Sequence, residues 1–569
     1  MRESYHEVDL CVIGGGMAGV LCAIAAARKN IKVALMHDRP VFGGNASSEI
    51  RVPIGGAYGR DHRETGILEE ICLENFYRNP SSNYFVWDSV LFDKVYSEPN
   101  ITPIMNCSCI KAQTSGSKIV SVTGWQLTTE TYHTVNAKYF ADCSGDGILA
   151  PLTGAQFRMG REAKSEYNET IPPDVADSCT MGMSCTFQIR ETESYKEFIP
   201  PKWAYVYKND DDLPDCRHNL DHHLWWIELG GNRDSIHDTE ELKFELLKIA
   251  FGVWDHFKNQ GDHGYENWDL EWIEFLPGKR ESRRYKGNYV INQRDVEAGG
   301  KFEDVVAYAG WSMDDHFPDG FYHFDGHPTT HYPAPSPWGI PLRSLYSIDF
   351  DNLFFAGRNI SATHAAFSSC RVIATCAMMG QAVGTAVSML VKDNIDVSEL
   401  NVNKLQQLLM YDDCYLPNIK REVSPLINKA VINYPVVCNG FDRKNENLWI
   451  GNKGDYIEFV FHEPQYINEL RIIFDSDLNR NYVEWINRNF QQMPHIYPLG
   501  ETRFRLPETL IKKFKIEVCN ENNEVSEKNY ENHLRFVTIE VNQTAKWIRL
   551  IPEETWGADS FRIFSVEPV

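Results

Sequence analysis

Residues 8–38 read VDLCVIGGGMAGVLCAIAAARKNIKVALMHD, and the order of residue types in this stretch decides the first domain. The apolar run Val8–Ile13 ends in Gly14-Gly15-Gly16-Met17-Ala18-Gly19. An Ala-rich segment, Val20–Lys29, is read as an amphipathic helix, and Lys32–Met36 as a second strand. Strand, glycine turn, helix, strand is the setting in which Gly-x-Gly-x-x-Gly marks a dinucleotide site rather than a chance repeat. Gly14 permits the tight turn, Gly16 lets the backbone approach a diphosphate, and Gly19 lets the helix pack on the strand. The diphosphate would rest on the free N–H groups at the positive end of that helix, where Met17 and Ala18 begin it. An acidic residue about 20 positions past the motif normally holds the ribose. Here His37 stands at the end of the second strand and Asp38 follows it. Either can accept a ribose hydrogen bond, and Asp38 is the better match on chemistry.

Two later segments repeat the theme of an apolar strand followed by glycine. Thr134–Ala141 leads into Asp142-Cys143-Ser144-Gly145-Asp146-Gly147, and Asn352-Leu353-Phe354-Phe355 leads into Ala356-Gly357-Arg358. Together they predict a nucleotide domain, residues 1–150 and 334–420, split by a substrate domain over 151–333. The insertion is rich in Trp and His; most of its aromatics are expected to fill a core, and some to wall a site for a sugar or ring. Val372–Val391 carries no charge and is long enough to be weighed as a membrane span. Its Gly380, Gln381, Gly384, Thr385 and Ser388 point instead to a buried helix. After Arg421 short alternating runs appear (456–461, 467–474, 513–518, 536–541, 547–551 and 561–566), the pattern of an all-β sandwich over 421–569. The fold class predicted is α/β, a split Rossmann-like core with a mixed α+β insertion, followed by that sandwich.

Composition narrows the function. With 569 residues the chain exceeds a single core. Lys and Arg total 56 against 79 Asp and Glu, a formal charge of −23, which disfavours nucleic acid and anionic membranes as partners. The 14 cysteines include no C-x-x-C pair, so reduced thiols are expected rather than disulfides, zinc or a cluster. The hydrophilic Met1–Glu7 leads directly into the first strand, and a cytoplasmic location is expected.

The motifs GGGMAG (14–19), RPVFGGNASSEIRV (39–52), RETGILEE (63–70), DCSGDG (142–147), PGKRESRRYKGNYVINQRD (277–295), GWSMDDH (310–316) and FFAGRNISATHAAFSSCRVIATCAMMGQAVG (354–384) resemble the FAD-dependent oxidoreductases of the glutathione-reductase type found in carbohydrate-degrading bacteria. The C-terminal part resembles discoidin-like, galactose-binding β-sandwiches through its strand spacing and its ending WIRLIPEETWGADSFRIFSVEPV. The resemblance implies FAD as cofactor. It puts Gly14, Gly16 and Gly19 on the diphosphate, Arg39, Gly43, Gly44 and Asn45 along the adenosine and pyrophosphate, and Ser47 and Ser48 near the isoalloxazine. Asp142, Gly145 and Asp146 match the second turn, and Gly357, Arg358 and Ser361 the third, where Arg358 replaces the usual Asp and is free to meet a phosphate. Ser368 and Ser369 are read as N-caps of the helix running through Val383, whose N-terminus would stabilise reduced flavin.

Oxidation of an alcohol by flavin needs a proton acceptor. His316, His331 and His364 are the candidates, with His316 preferred because Asp315 adjoins it in GWSMDDH. Arg280 and Arg283 are candidates for substrate oxygens or flavin, against a solvated, ion-paired loop. His218 and His222, beside Asp221 and His223, have helical metal-pair spacing but no evident third ligand, and no metal is expected. The function predicted is hydride transfer from the hydroxyl of a small, carbohydrate-like substrate to FAD, with an undetermined electron acceptor. The alternatives are a redox-neutral, flavin-assisted elimination or hydrolysis of a glycoside, and a glycan-binding protein that keeps a structural flavin.

Overall fold

The computed structural model describes residues 1–214, 224–260, 263–480, 493, 496–500 and 504–569. The chain forms two compact units, one of Met1–Ala57, Ser82–Asn401 and Phe490–Thr502, the other of Tyr58–Ser81, Val402–Asn489 and Arg503–Val569.

The first unit is organised by a seven-stranded sheet. Strand β1 (Arg2–Ile13) is followed by helix α1 (Met17–Arg28) and β2 (Val33–Met36). Strands β3 (Ile101–Ile104), β4 (Cys107–Ser115), β5 (Lys118–Gln126) and β6 (Thr131–Asp142) come next, and β7 (Leu353–Phe355) returns after the insertion. The order is β3-β2-β1-β6-β5-β4, with β7 also on β6. Strands β3, β2, β1, β6 and β7 are parallel, whereas β4 and β5 form an antiparallel meander on β6. The glycine turns at the ends of β1, β6 and β7 therefore open at one edge of the sheet, the carboxyl end where open α/β sheets bind ligands.

Helix α1 departs from expectation. It is buried on every face except at Arg28, so it is not amphipathic. One side packs on the sheet and another on helix α3 (Ile373–Asp393), which follows the short helix α2 (His364–Cys370). The α1–α3 contact is close enough that a Cβ on Gly380 would lie 2.0 Å from the Ala18 carbonyl oxygen, and one on Gly384 2.2 Å from that of Cys22. Helix α3 is long and apolar enough to cross a membrane by length and composition, and in this fold it is a buried core helix. The N-cap assignment of Ser368 and Ser369 is corrected, because both lie inside α2. Ser368 Oγ donates to the Ala365 carbonyl, and Ser369 Oγ donates to that of Trp311. Thr363 caps α2, and α3 starts after Val372 with no side-chain cap. Two helices separated at Arg371 and Val372 stand where one was expected.

The insertion builds its own core. Leu213, Trp226, Leu246, Ile249, Trp254 and Phe257 pack together, while Trp203 is exposed and Trp225 partly so.

The second unit carries an all-antiparallel seven-stranded sheet. Runs expected as separate strands merge: Ile457–Phe474 and Phe536–Thr555 are continuous, because register shifts let each strand bend without ending. The unit also contains helix Ile67–Arg78, whose buried Glu69 accepts from Arg480 Nη2 and Ser476 Oγ, both at 2.6 Å. The RETGILEE motif thus belongs to the second unit. The described cysteines are all free thiols.

Candidate active site

The first turn is shaped by backbone geometry. Gly14 adopts φ +102°, and a Cβ on Gly19 would fall 1.8 Å from the Gly14 carbonyl oxygen, so neither position tolerates a side chain. Gly16 differs. Its backbone is extended, and a Cβ there would meet only the Gly44 Cα at 3.8 Å. Among the described residues, the Cβ position of Gly16, at the N-terminus of α1, is thus open space. A diphosphate fits there.

The histidine at the end of β2 serves the turn itself. The Gly15 N–H donates to His37 Nδ1 at 2.9 Å, and Nε2 lies 3.0 Å from the Val41 carbonyl. A peptide N–H can only donate, so His37 is the Nε2–H tautomer and both nitrogens are engaged. Asp38, with its side chain 58% exposed, is the residue left to meet a ribose. Arg39 Nη1 is buried and has no hydrogen-bond partner among the described residues. Ser47 Oγ donates to the Gly44 carbonyl at 2.7 Å, Asn45 Nδ2 to that of Lys279 at 3.1 Å, and the Ser48 N–H to Asp88 Oδ1 at 3.1 Å. The Gly43–Ser48 segment is thereby a rigid wall.

The second and third turns lock together. Asp142 accepts from Ser144, Leu149 N–H, Tyr285 OH and Asn359 Nδ2, so its carboxylate orders the turn. Asp146 lies 2.9 Å from Lys279 Nζ and 3.2 Å from Arg358 Nη2. Burial opposes its charge, but Arg358 and Lys279 hold the carboxyl down at about 2. The other terminal nitrogen, Arg358 Nη1, is buried without a hydrogen-bond partner among the described residues, as is Ser361 Oγ. Arg39 and Arg358 each offer a buried guanidinium nitrogen of the kind that binds phosphate oxygens. Arg283 stands on this side, donating to the Asp146 carbonyl at 3.2 Å.

The catalytic candidates gather elsewhere in the same unit, on an antiparallel pair formed by Met313–His316 and Thr329–Tyr332. His316, buried, has Nδ1 2.6 Å from Glu228 Oε2 and Nε2 2.9 Å from Arg371 Nη2. Neither ring nitrogen is open to a substrate proton. Arg280 Nη1 lies 3.3 Å from the same Glu228 oxygen, Oε2, and the guanidinium donates to Ser184 Oγ at 2.8 Å and the Trp225 carbonyl at 2.9 Å. Three two-residue strands bring these groups together, Glu228–Leu229 and Gly278–Lys279 both pairing with Met183–Ser184. Arg371, at the break between α2 and α3, also reaches Asp314 Oδ2 at 3.1 Å. Burial would raise the Asp314 carboxyl, but His316 and Arg371 hold it far below the usual range.

His364 is clamped between carboxylates, Nδ1 2.8 Å from Glu281 and Nε2 2.9 Å from Asp315. Burial works against its charge, yet Glu281 and Asp315 raise it to about 10, so it is an imidazolium and not a base. Its carboxylate partner Asp315 is thereby occupied. His331 is the most exposed of the three, its side chain 45% exposed, with Nδ1 3.1 Å from Ser312 Oγ and 3.4 Å from Asp314 Oδ1, and Nε2 3.3 Å from Thr329 Oγ1. The pair expected from chain adjacency, Asp315 and His316, is not formed; Asp315 serves His364, and Asp314 faces His331 across the strands. Sequence reasoning missed Glu228 and Arg371. The signals were present: one carboxylate in the apolar WWIELGG, and one arginine at the head of an uncharged run. His218, Asp221, His222 and His223 lie outside the described residues.

A parallel sheet with glycine turns at three strand ends, and open arginine donors beside them, defines a dinucleotide-binding oxidoreductase. Residues 9–409 match the family described as FAD dependent oxidoreductase, and the chain belongs to that family. Over 73 residues it is 34% identical to the glycerol-3-phosphate dehydrogenase of Mycobacterium leprae, a stretch that covers 13% of this chain and 12% of that protein. Glycerol-3-phosphate dehydrogenase 2 of Mycobacterium tuberculosis matches to the same extent, so this chain spans 12% of the length of either curated relative. Among solved structures, a geranylgeranyl bacteriochlorophyll reductase-like protein from Thermoplasma acidophilum aligns over 71% of this chain and 84% of that chain at 12% identity and TM-score 0.33. The quinol fumarate reductase of E. coli aligns over 73% and 74% at 11% identity and TM-score 0.28.

Proposed function

We propose that this enzyme oxidises a hydroxyl-bearing carbon of a small polar, carbohydrate-like substrate, with His331 receiving the hydroxyl proton. The observation that carries the reading is the pairing of Asp314 with His331, in which one partner is an exposed imidazole and the other a carboxylate held ionised by Arg371. Bound FAD supplies the hydride acceptor. The protein's own part is to hold a base beside a carboxylate. Asp314 orients the His331 ring and stabilises the imidazolium formed when the proton arrives. The buried series Arg371, His316, Glu228 and Arg280 fixes Asp314 from behind, so the base cannot drift from its carboxylate.

The sugar assignment is supported by aromatic faces near the base. Partly exposed Trp225 lies 5.7 Å from the His327 ring, which lies 5.9 Å from that of His331. Such surfaces pack on the apolar C–H faces of pyranose rings while polar groups meet the hydroxyls.

The test is anaerobic flavin bleaching by a panel of sugars and polyols, followed by stopped flow. His331→Ala is expected to retain bound flavin and to slow reduction by about 10²–10⁴-fold, the usual contribution of a general base. An unchanged reduction rate in that variant would remove His331 from the role. No bleaching of the wild type by any sugar or polyol would remove the substrate class.

A further inference from the structure

We propose that the insertion holds a structural divalent cation of the zinc class, bound by Asp210, His256 and His263. The three residues come from separate segments: the turn Asp210–Asp212, the π-helical segment His256–Gln260 that continues helix Thr239–Asp255, and the chain at 263. One ligand atom of each lies within 4.8 Å of the others. Both imidazoles point Nε2 at the same carboxylate oxygen, Asp210 Oδ1, at 3.2 Å from His256 and 3.6 Å from His263. Bond lengths of about 2.0–2.1 Å in a tetrahedral site place neighbouring donor atoms about 3.3–3.4 Å apart, and the two imidazole–carboxylate separations bracket that value.

The surroundings of His256 support the assignment independently of that spacing. The ring is buried, and its Nδ1 lies 3.0 Å from the Tyr207 carbonyl. That is the arrangement in which a metal-binding histidine donates its second N–H to a backbone oxygen, fixing the tautomer that leaves Nε2 to the ion. His256 also opens a π-helical turn, a rare feature that is frequent at functional sites. Two imidazoles and a carboxylate suit zinc better than calcium or magnesium, which prefer oxygen donors throughout. The remaining coordination position falls to water.

The ion would tie the rim of the insertion's core together, because Leu213, Trp254 and Phe257 beside the three ligands all belong to that core. Its role is structural and independent of the flavin chemistry above.

The experiment uses the full chain without a polyhistidine tag. Metal content is measured on purified protein; then chelator-stripped protein is titrated with Zn²⁺ by calorimetry and with Co²⁺ by visible absorbance. One zinc per chain and tetrahedral Co²⁺ bands are expected. Asp210→Ala and His263→Gln change partly exposed positions and are expected to weaken Zn²⁺ binding by at least about 10–100-fold while keeping the flavin spectrum. His256→Gln should do the same; if it fails to fold, the other two variants decide. Absence of Zn²⁺ binding by the wild type, or unchanged affinity in Asp210→Ala and His263→Gln, overturns the proposal.

Discussion

Gly16 and Gly19 stand in one motif for opposite reasons, and substitution separates them. A side chain at Gly16 meets almost nothing in the protein, whereas one at Gly19 collides with the Gly14 carbonyl. Gly16→Val is therefore expected to fold with a near-normal circular dichroism spectrum and thermal midpoint yet to purify colourless, because the valine takes the diphosphate's place. A yellow Gly16→Val protein with wild-type flavin content would falsify the placement of FAD. His364 offers a second single-residue test. Its folded value, raised to about 10, lies above the unfolded value of about 6.5. The stability it contributes is thus fully present below pH 6.5 or so and is lost as pH rises through about 10. The difference in unfolding free energy between wild type and His364→Gln should be largest near pH 6 and shrink steadily toward about pH 10. A difference that does not vary with pH would show that the imidazole is not charged between Glu281 and Asp315.

At the scale of elements, the deciding contact is α1 against α3. Small residues let the two backbones approach until Gly380 and Gly384 face the carbonyls of Ala18 and Cys22. Overpacking of a tight contact typically costs about 1–3 kcal/mol and occasionally more. Gly384→Val, whose Cβ would sit 2.2 Å from a backbone oxygen with no flexible side chain to yield, is expected at the top of that range. Chemical denaturation of the variant checks this; a loss below about 1 kcal/mol would mean that the helices part easily. The same tightness accounts for the break before α3. Trp338 Nε1 and the Trp311 carbonyl both bind Ser369 Oγ, holding α2 in place, while Arg371 turns toward Asp314 and His316.

For the whole molecule, the second unit is not a simple C-terminal piece. Helix Ile67–Arg78 contributes the buried Glu69 to Arg480, and Arg63 donates to the Arg480 carbonyl at 2.7 Å. Phe76 packs on Phe504 with ring centroids 4.8 Å apart. Removing one partner of a buried ion pair costs about 3–5 kcal/mol. Glu69→Ala is expected to lose that much from the unfolding transition of this unit, followed by denaturant titration with far-ultraviolet detection of its sheet. An unaffected transition would show that the sheet stands without the early helix.

Much of this was legible before any coordinates. The strand–glycine–helix–strand order, the second and third glycine turns and the uncharged run of α3 are local patterns, and local patterns follow from backbone sterics and burial that neighbouring residues already specify. The dinucleotide site was therefore readable as a site. The histidines were readable only as candidates. Which carboxylate faces which imidazole depends on the pairing of Met313–His316 with Thr329–Tyr332 and on where Glu228, Glu281 and Arg371 arrive from distant segments. A histidine becomes a clamped cation, a wedged strut or an exposed ring according to its neighbours' charges and to burial, and those are properties of tertiary contacts. His364, His316 and His331 took these three fates in turn. No spacing along the chain distinguishes them; only the assembled fold does.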